Sequence, residues 1–354
     1  MFLPTDHSKH VEPLPPNCSF REGDWHILAS FWHPVAFAHD VGNSPVSTVL
    51  LDVDLVLFRT DEGVTIANDQ CPHRGTRLSM GKVRNGQLIC PMHGLHYDHE
   101  GRCTDIPSIT DKSAPIPTKL CLKTYQSVER YGIVWTCLKS DPIWPLPDWP
   151  LLEDSVGGRF LVPPDEWNAS AARHVENFND IAHFPWVHID SFGGEESESF
   201  PIYKVANTDF GLTFTVPYLE GFNRFPDSVD GEKRHVTYTY ELTFPFSTLL
   251  LVRPTDSDYV HYFADTASPV SANKTRIFQL FTDSQGVVDP EFWMKDAETI
   301  NREDRSIVES QAPFELPLDT REEIHIPADR MSRAYRKSLS DKFGLGLPTN
   351  KKSS

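Results

Sequence analysis

The sequence predicts an α+β protein of two domains: a small all-β domain, then a mostly antiparallel sheet with helices against one face. Three observations carry that expectation. Short β-type runs separated by turn residues fill residues 23–141, with no long helical period. A proline-dense stretch, Pro142-Ile143-Trp144-Pro145-Leu146-Pro147-Asp148-Trp149-Pro150, then interrupts the pattern. Beyond it, long alternating strands are bracketed by helical segments. A chain of 354 residues exceeds one ordinary core, and 39% hydrophobic content suffices for two.

In order, residues 1–22 read as an N-terminal extension. The first domain, 23–141, carries strands at 46–51, 54–59, 64–68 and 133–138. Residues 142–150 form a stiff linker. The second domain, 151–345, opens with a helix over about 171–187. Leu212, Phe214 and Val216 then alternate with Thr213 and Thr215, and Val236, Tyr238, Tyr240 and Leu242 alternate with Thr237, Thr239 and Glu241. Such strands turn one face to a core or cavity and the other outward. Three more strands follow at 248–253, 259–266 and 276–282. Asp289-Pro290 supplies an N-cap and a first-turn proline for a helix running to about 311. Loops 191–200 and 219–234 are long enough to act as lids, and 346–354 is a tail.

The charge balance narrows the partners. Fifty acidic against 33 basic residues give a net charge of −17, which argues against nucleic acid or anionic membrane; a solvated acidic surface is the first reading, and docking of a complementary redox partner the sharper one. No apolar run approaches the roughly 20 residues that span a bilayer. Residues 1–16 lack a signal-peptide stretch, and six cysteines are too few for a disulfide scaffold. The expectation is a cytoplasmic protein.

Two of those cysteines carry the first chemical signal. Cys71-Pro72-His73-Arg74-Gly75 is followed, with sixteen residues between His73 and Cys90, by Cys90-Pro91-Met92-His93-Gly94. Two thiolates and two imidazoles bind either zinc or an iron–sulfur cluster. Prolines and glycines beside both pairs build two facing loops, which favours a Rieske [2Fe-2S] cluster held by Cys71, His73, Cys90 and His93 over a zinc finger. Cys18, Cys103, Cys121 and Cys137 lack such spacing and read as small hydrophobes.

A second constellation lies in Glu176-Asn177-Phe178-Asn179-Asp180-Ile181-Ala182-His183-Phe184-Pro185-Trp186-Val187-His188. Asn177, Asp180 and His183 recur at three-residue steps and share one helix face. His183 and His188, five apart, diverge by about 140° on a regular helix, but Pro185 would bend it and bring them to one metal. Two histidines and a carboxylate with open positions form the facial triad of Fe(II) oxygenases. Trp293, Ala297, Ile300, Asp304, Ile307 and Gln311 make one stripe of the last long helix, so Asp304 sits in its apolar middle, where a carboxylate is costly unless it binds metal. Glu303, at the stripe edge, is the weaker candidate. Phe178, Phe184 and Val187 are expected to line a substrate pocket, with Asn177 near the iron.

With these residues in hand, the chain resembles the α subunits of Rieske oxygenases over nearly its whole length. The likeness includes Phe31-Trp32-His33-Pro34-Val35, Arg130-Tyr131-Gly132-Ile133-Val134-Trp135, Glu303-Asp304 with Ile307-Val308-Glu309-Ser310-Gln311, Ala328-Asp329-Arg330 and Tyr335-Arg336-Lys337. It is most similar to the monooxygenase and demethylase branch: methylxanthine N-demethylases, toluenesulfonate methyl-monooxygenase, aryl O-demethylases and, near the C-terminus, saxitoxin-pathway hydroxylases. The resemblance implies a helix-grip catalytic domain, a homotrimer and a separate NAD(P)H-dependent reductase. It also implies O2 as co-substrate and a small aromatic, heteroaromatic or polycyclic substrate, hydroxylated or oxidatively demethylated. In the family, the aspartate at the Asp180 position bridges an iron-ligand histidine, here His183, to the cluster histidine matching His93 of a neighbouring subunit. The spacing from Asn177 to Asp180 is the form shorter than that of many ring dihydroxylases. The alternatives are a ring cis-dihydroxylase, a non-catalytic Rieske electron carrier and a zinc-stabilised binding protein.

Overall fold

A computed structural model of the protein describes residues 13–153, 159–189, 191–193, 201–220, 225, 233–286 and 289–347. Most of the two expected lid loops, and parts of the terminal extension and tail, lie outside the described residues. The first domain contains α1 (Glu22–Leu28), β1 (His33–Phe37), β2 (Val46–Leu50), β3 (Val53–Thr60), β4 (Gly63–Asn68), β5 (Lys82–Arg84), β6 (Gln87–Ile89), β7 (His96–Tyr97), β8 (Cys103–Asp105), β9 (Thr124–Arg130) and β10 (Ile133–Cys137). It is an antiparallel sheet ordered β1-β10-β9-β4-β3-β2, with a smaller sheet β5-β6-β7-β8 that carries the cysteine–histidine loops.

The second domain contains α2 (Pro150–Glu153), β11 (Phe160–Trp167), α3 (Ala171–Phe178), α4 (Phe184–Val187), β12 (Ala206–Asn207), β13 (Gly211–Glu220), β14 (Arg234–Thr243), β15 (Ser247–Pro254), β16 (His261–Ser271), β17 (Lys274–Asp283), α5 (Pro290–Val308) and α6 (Arg330–Phe343). Its strands form one antiparallel sheet, β11-β17-β16-β15-β14-β13-β12. The α+β architecture is thus as expected. β11 and α6, which the periodicity did not reveal, complete it.

The two sheets meet back to back. Phe37, Ile133 and Trp135 of the first domain pack with Leu249, Ala264, Phe278 and Leu280 on the outer face of the second sheet. The turn after β2 also donates from Leu51 N to Pro269 O and from Asp52 N to Val270 O. This contact corrects the expectation of one outward face. β13 and β14 do alternate between buried and exposed, but β16 is buried along nearly its whole length, because the first domain covers its other side.

The proline-dense segment is anchored between the domains. Ile143 N donates to Ser30 O, and the Tyr131 hydroxyl donates to Pro147 O while accepting from Trp149 N. Trp149 is buried.

On the inner face of the large sheet, α5 runs across the strands. The Asp289 carboxylate accepts from Glu291 N and Phe292 N and so caps the helix, and Pro290 needs no donor there. The buried stripe is Trp293, Ala297, Asp304 and Val308. Ile307, expected in that stripe, is 47% exposed, and the helix ends at Val308, short of Gln311. A four-residue step from Asp304 keeps Val308 on the same face.

Candidate metal centres and substrate pocket

In the first domain the two ligand loops have matching geometry. Gly75 N bonds Cys71 O at 2.8 Å and Gly94 N bonds Cys90 O at 3.0 Å. Cys71 N bonds Thr76 O, and Cys90 N bonds Leu95 O, both at 2.9 Å. Gly75 and Gly94 lie at φ +73° and +69°, a left-handed turn that a side chain would strain. Both cysteines are 2% exposed, whereas His73 and His93 are exposed and their rings stand 4.6 Å apart.

Tyr97 places its hydroxyl 3.2 Å from Cys71 Sγ. Burial holds the Cys90 thiol above its usual value, and backbone contacts from Met92 and His93 offset only part of the rise. Two buried sulfurs and two exposed imidazoles on facing loops are a donor set that fits a Rieske cluster, which these four residues would hold. Of the other cysteines, Cys103 and Cys137 are buried, but Cys121 is exposed.

The second constellation forms where α3 ends. Asn179 Nδ2 donates to Val175 O and to Thr248 Oγ1, closing the helix at Phe178. The expected single helix is therefore broken earlier than Pro185. That proline instead sits in the first turn of α4, and His183 occupies the position before it. Asp180 and His183 accordingly do not share a helix face with Asn177; a tight turn joins them. In that turn the Asp180 carboxylate accepts from the backbone N–H of Ala182 and of His183.

The break brings the histidines together. His183 Nε2 and His188 Nε2 lie 3.2 Å apart, and Asp304 Oδ1 is 3.4 and 3.2 Å from them. Metal–ligand bonds of about 2.1 Å place neighbouring ligands roughly 3 Å apart, so this spacing suits one ion. The outer nitrogens are occupied. His183 Nδ1 is 2.9 Å from Asp180 Oδ2, and His188 Nδ1 is 2.8 Å from Glu303 Oε2, which also accepts from Ser191 Oγ. Carboxylates accept, so each Nδ1 carries a proton and each Nε2 is turned inward.

Asp304 Oδ1 is buried and receives no well-aligned hydrogen bond. Burial works against a charged His183, but the carboxylates of Asp180 and Asp304 outweigh it and push the imidazole up to about 9. Burial likewise raises the Asp304 carboxyl, and the two histidines overcome this and hold it below the usual carboxylate range. This donor set is one that demands a cation. Glu303, the weaker ligand candidate, points instead to the far side of His188.

The turn after α4 is tightly constrained. A Cβ on Gly193 would sit 2.1 Å from Phe184 O, so only glycine lets the chain fold back against α4. Tyr218 adds a hydrogen bond to Gly193 O.

Beside the triad lies a pocket of about 600 Å³, counting space shared with solvent at its mouth. Phe178, Phe184, Tyr238, Tyr240, Phe263 and Phe281 supply aromatic walls, and Asn177 reaches it from α3. Val187, expected in the lining, is not among the residues that line it. The reading from sequence missed Gln279 and Asn301, which do line it. Their signals were a lone polar residue at the inward parity of a β-strand and an amide three residues before Asp304.

Comparison with known proteins agrees with this geometry. Residues 31–126 match the Rieske [2Fe-2S] domain, and residues 167–342 match the vanillate O-demethylase oxygenase C-terminal domain. Methylxanthine N1-demethylase of Pseudomonas putida is 28% identical over 321 residues, covering 89% of each chain. The N3-demethylase of that organism is 29% identical, covering 88% of each. The solved structure of the Pseudomonas putida N1-demethylase NdmA with caffeine superposes with a TM-score of 0.76 at 26% identity, covering 90% of this chain and 91% of that one.

A Rieske domain joined to an oxygenase domain of this type defines a Rieske non-haem iron oxygenase. The chain belongs to that family, in its monooxygenase and demethylase branch. It is an oxidoreductase with a Rieske cluster and a mononuclear iron as cofactors. The oxygenase C-terminal domain sets aside the electron-carrier alternative, and the Rieske [2Fe-2S] domain match sets aside the zinc protein. No helix among the described residues is long and apolar enough to cross a membrane.

Proposed function

We propose that this protein hydroxylates a methyl group on an aromatic or heteroaromatic substrate and, where that methyl sits on oxygen or nitrogen, removes it as formaldehyde. The observation that carries the reading is the convergence of His183, His188 and Asp304 beside a pocket with aromatic walls. Cys71, His73, Cys90 and His93 would hold the cluster, and His183, His188 and Asp304 the iron. When bound, these groups supply electrons one at a time and activate O2 for insertion into a C–H bond.

The chain's own residues do the rest. Aromatic side chains stack on a planar ring and exclude water. Asp180 and Glu303 fix the imidazole tautomers and hold both Nε2 atoms towards the metal position. Asn177 offers an amide to the pocket beside the triad. The Asp180 side chain is 25% exposed while bonded to His183. That exposure supports a head-to-tail homotrimer in which His93 of a neighbouring copy meets Asp180, as family resemblance implies. The exposed His73 and His93 give a separate NAD(P)H-dependent reductase a surface at which to dock.

Reductase-supported turnover on a panel of O-methyl, N-methyl and unmethylated aromatics tests the reading. Loss of a methyl with matching formaldehyde is expected. A product heavier by two oxygens and two hydrogens, formed without formaldehyde, would establish ring dihydroxylation instead.

A further inference from the structure

One corner of the pocket departs from its apolar character. Ile277, Gln279 and Phe281 share the inward parity of β17, and Gln279 is the polar member. Asn301 of α5 meets it in a reciprocal pair: Gln279 Nε2 donates to Asn301 Oδ1 at 3.2 Å, and Asn301 Nδ2 donates to Gln279 Oε1 at 2.8 Å. Behind them, Gln279 Nε2 also donates to Oδ2 of Asp265, its register neighbour on β16, at 3.0 Å. Asp265 Oδ1 in turn lies 2.8 Å from His174 Nε2. His174, Asp265 and Gln279 are 1%, 2% and 7% exposed, and Trp167 packs edge-on against His174.

A count of donors shows what this corner offers. The Asp265 carboxylate only accepts, so it fixes the Gln279 amide with its nitrogen inward. Both Gln279 N–H groups are then committed, to Asp265 and to Asn301. Asn301 gives one N–H to Gln279 and keeps the other. Asn301 is only partly buried, and its remaining donor belongs to a side chain that lines the pocket, where a bound substrate can accept it. Asn301 precedes Asp304 by one helical turn, with Cβ atoms roughly 5–6 Å apart, about the width of an aromatic ring. Asp296 also lines the pocket and Asp265 lies behind it, which disfavours an anionic group at this corner.

We propose that Asn301, oriented by Gln279, Asp265 and His174, is a specificity-determining residue that donates a hydrogen bond to an uncharged acceptor on the substrate. The substrate class is then a methylated aromatic or heteroaromatic ring bearing a carbonyl oxygen or ring nitrogen about one ring width from the reacting methyl. This rests on the oxygenase reading above and sharpens it.

The test uses the metal-loaded protein and matched ligands: 3- and 4-methoxyacetophenone against 3- and 4-isopropenylanisole, in which C=CH2 replaces C=O. Equilibrium binding and formaldehyde release are both measured. In the unaltered protein, one ketone of the set binds about tenfold more tightly than its alkene partner. Asn301→Leu brings that ratio to about one while alkene binding is retained, and the isosteric Asn301→Asp takes it below one. Gln279→Met, which frees the Asn301 amide to turn, lowers the ratio without reversing it. A merely structural pair would weaken ketone and alkene alike. Equal binding of ketone and alkene by the unaltered protein, a ratio unchanged in both Asn301 variants, or no binding of any of the four overturns the proposal. A discriminating pocket that releases no formaldehyde overturns the demethylase reading instead, and formaldehyde release without discrimination does the reverse.

Discussion

The cluster loops and the iron pocket solve the same problem, holding soft or basic ligands around a cation, in opposite ways. The proposed cluster ligands lie within residues 71–93 on two turns closed by their own backbone hydrogen bonds and left-handed glycines. The proposed iron ligands come from residues 183–188 and from residue 304, on a broken helix and a distant long one. Each pocket histidine is held by a carboxylate outside the ligand set. The first site is organised locally and half open to solvent; the second exists only while α5 packs across the sheet. The first should therefore tolerate changes in the catalytic core, and the second should be sensitive to single outer carboxylates.

The sharpest way to break that comparison is Asp180→Asn. It keeps a side chain of the same shape but removes the charge linking His183 to the surface. At saturating iron both metal sites are expected to load, with cluster absorption unchanged, while coupled turnover is lost. Full activity in this variant would rule out Asp180 as the connection between centres.

Glu303→Gln is the next largest. It leaves an amide that can still accept from His188 but supplies no charge, so the affinity for a divalent ion such as Co(II) should fall about 10–100-fold. The cluster spectrum should not change.

A smaller effect is the pH dependence of the metal-free protein. His183 is raised from 6.5 to about 9 in the folded state. The stabilisation from its proton is therefore complete below 6.5 and is lost as pH rises through 9. The thermal midpoint should drop over that interval, and His183→Asn should flatten the drop.

These differences also explain what could be read from the chain alone. Cys71, His73, Cys90 and His93 declare themselves because the turn that joins each pair is encoded between the ligands. Asp304 was legible for another reason: a carboxylate in an apolar helical stripe contradicts its surroundings. The place where the catalytic helix breaks was not, because Asn179 ends it through a bond to Thr248, a residue on a distant strand. Pro185 drew attention as a helix breaker, yet proline is at home in a first turn. The burial of β16 on both faces depends on contact with the other domain, which no local period records. Gln279, Asn301, Asp265 and His174 come from two strands and two helices, and only the folded chain assembles them.

The central claim is that two independent metal centres share this chain, with His183, His188 and Asp304 forming the second. Quantifying iron and recording the reduced-cluster EPR signal in Asp304→Ala tests it most directly. The expected result is one iron fewer per chain, an unchanged cluster signal, and turnover reduced by more than about 100-fold, beyond the loss of an outer carboxylate. Full iron content with normal turnover would contradict the assignment of Asp304, and loss of the cluster signal would contradict the independence of the two sites.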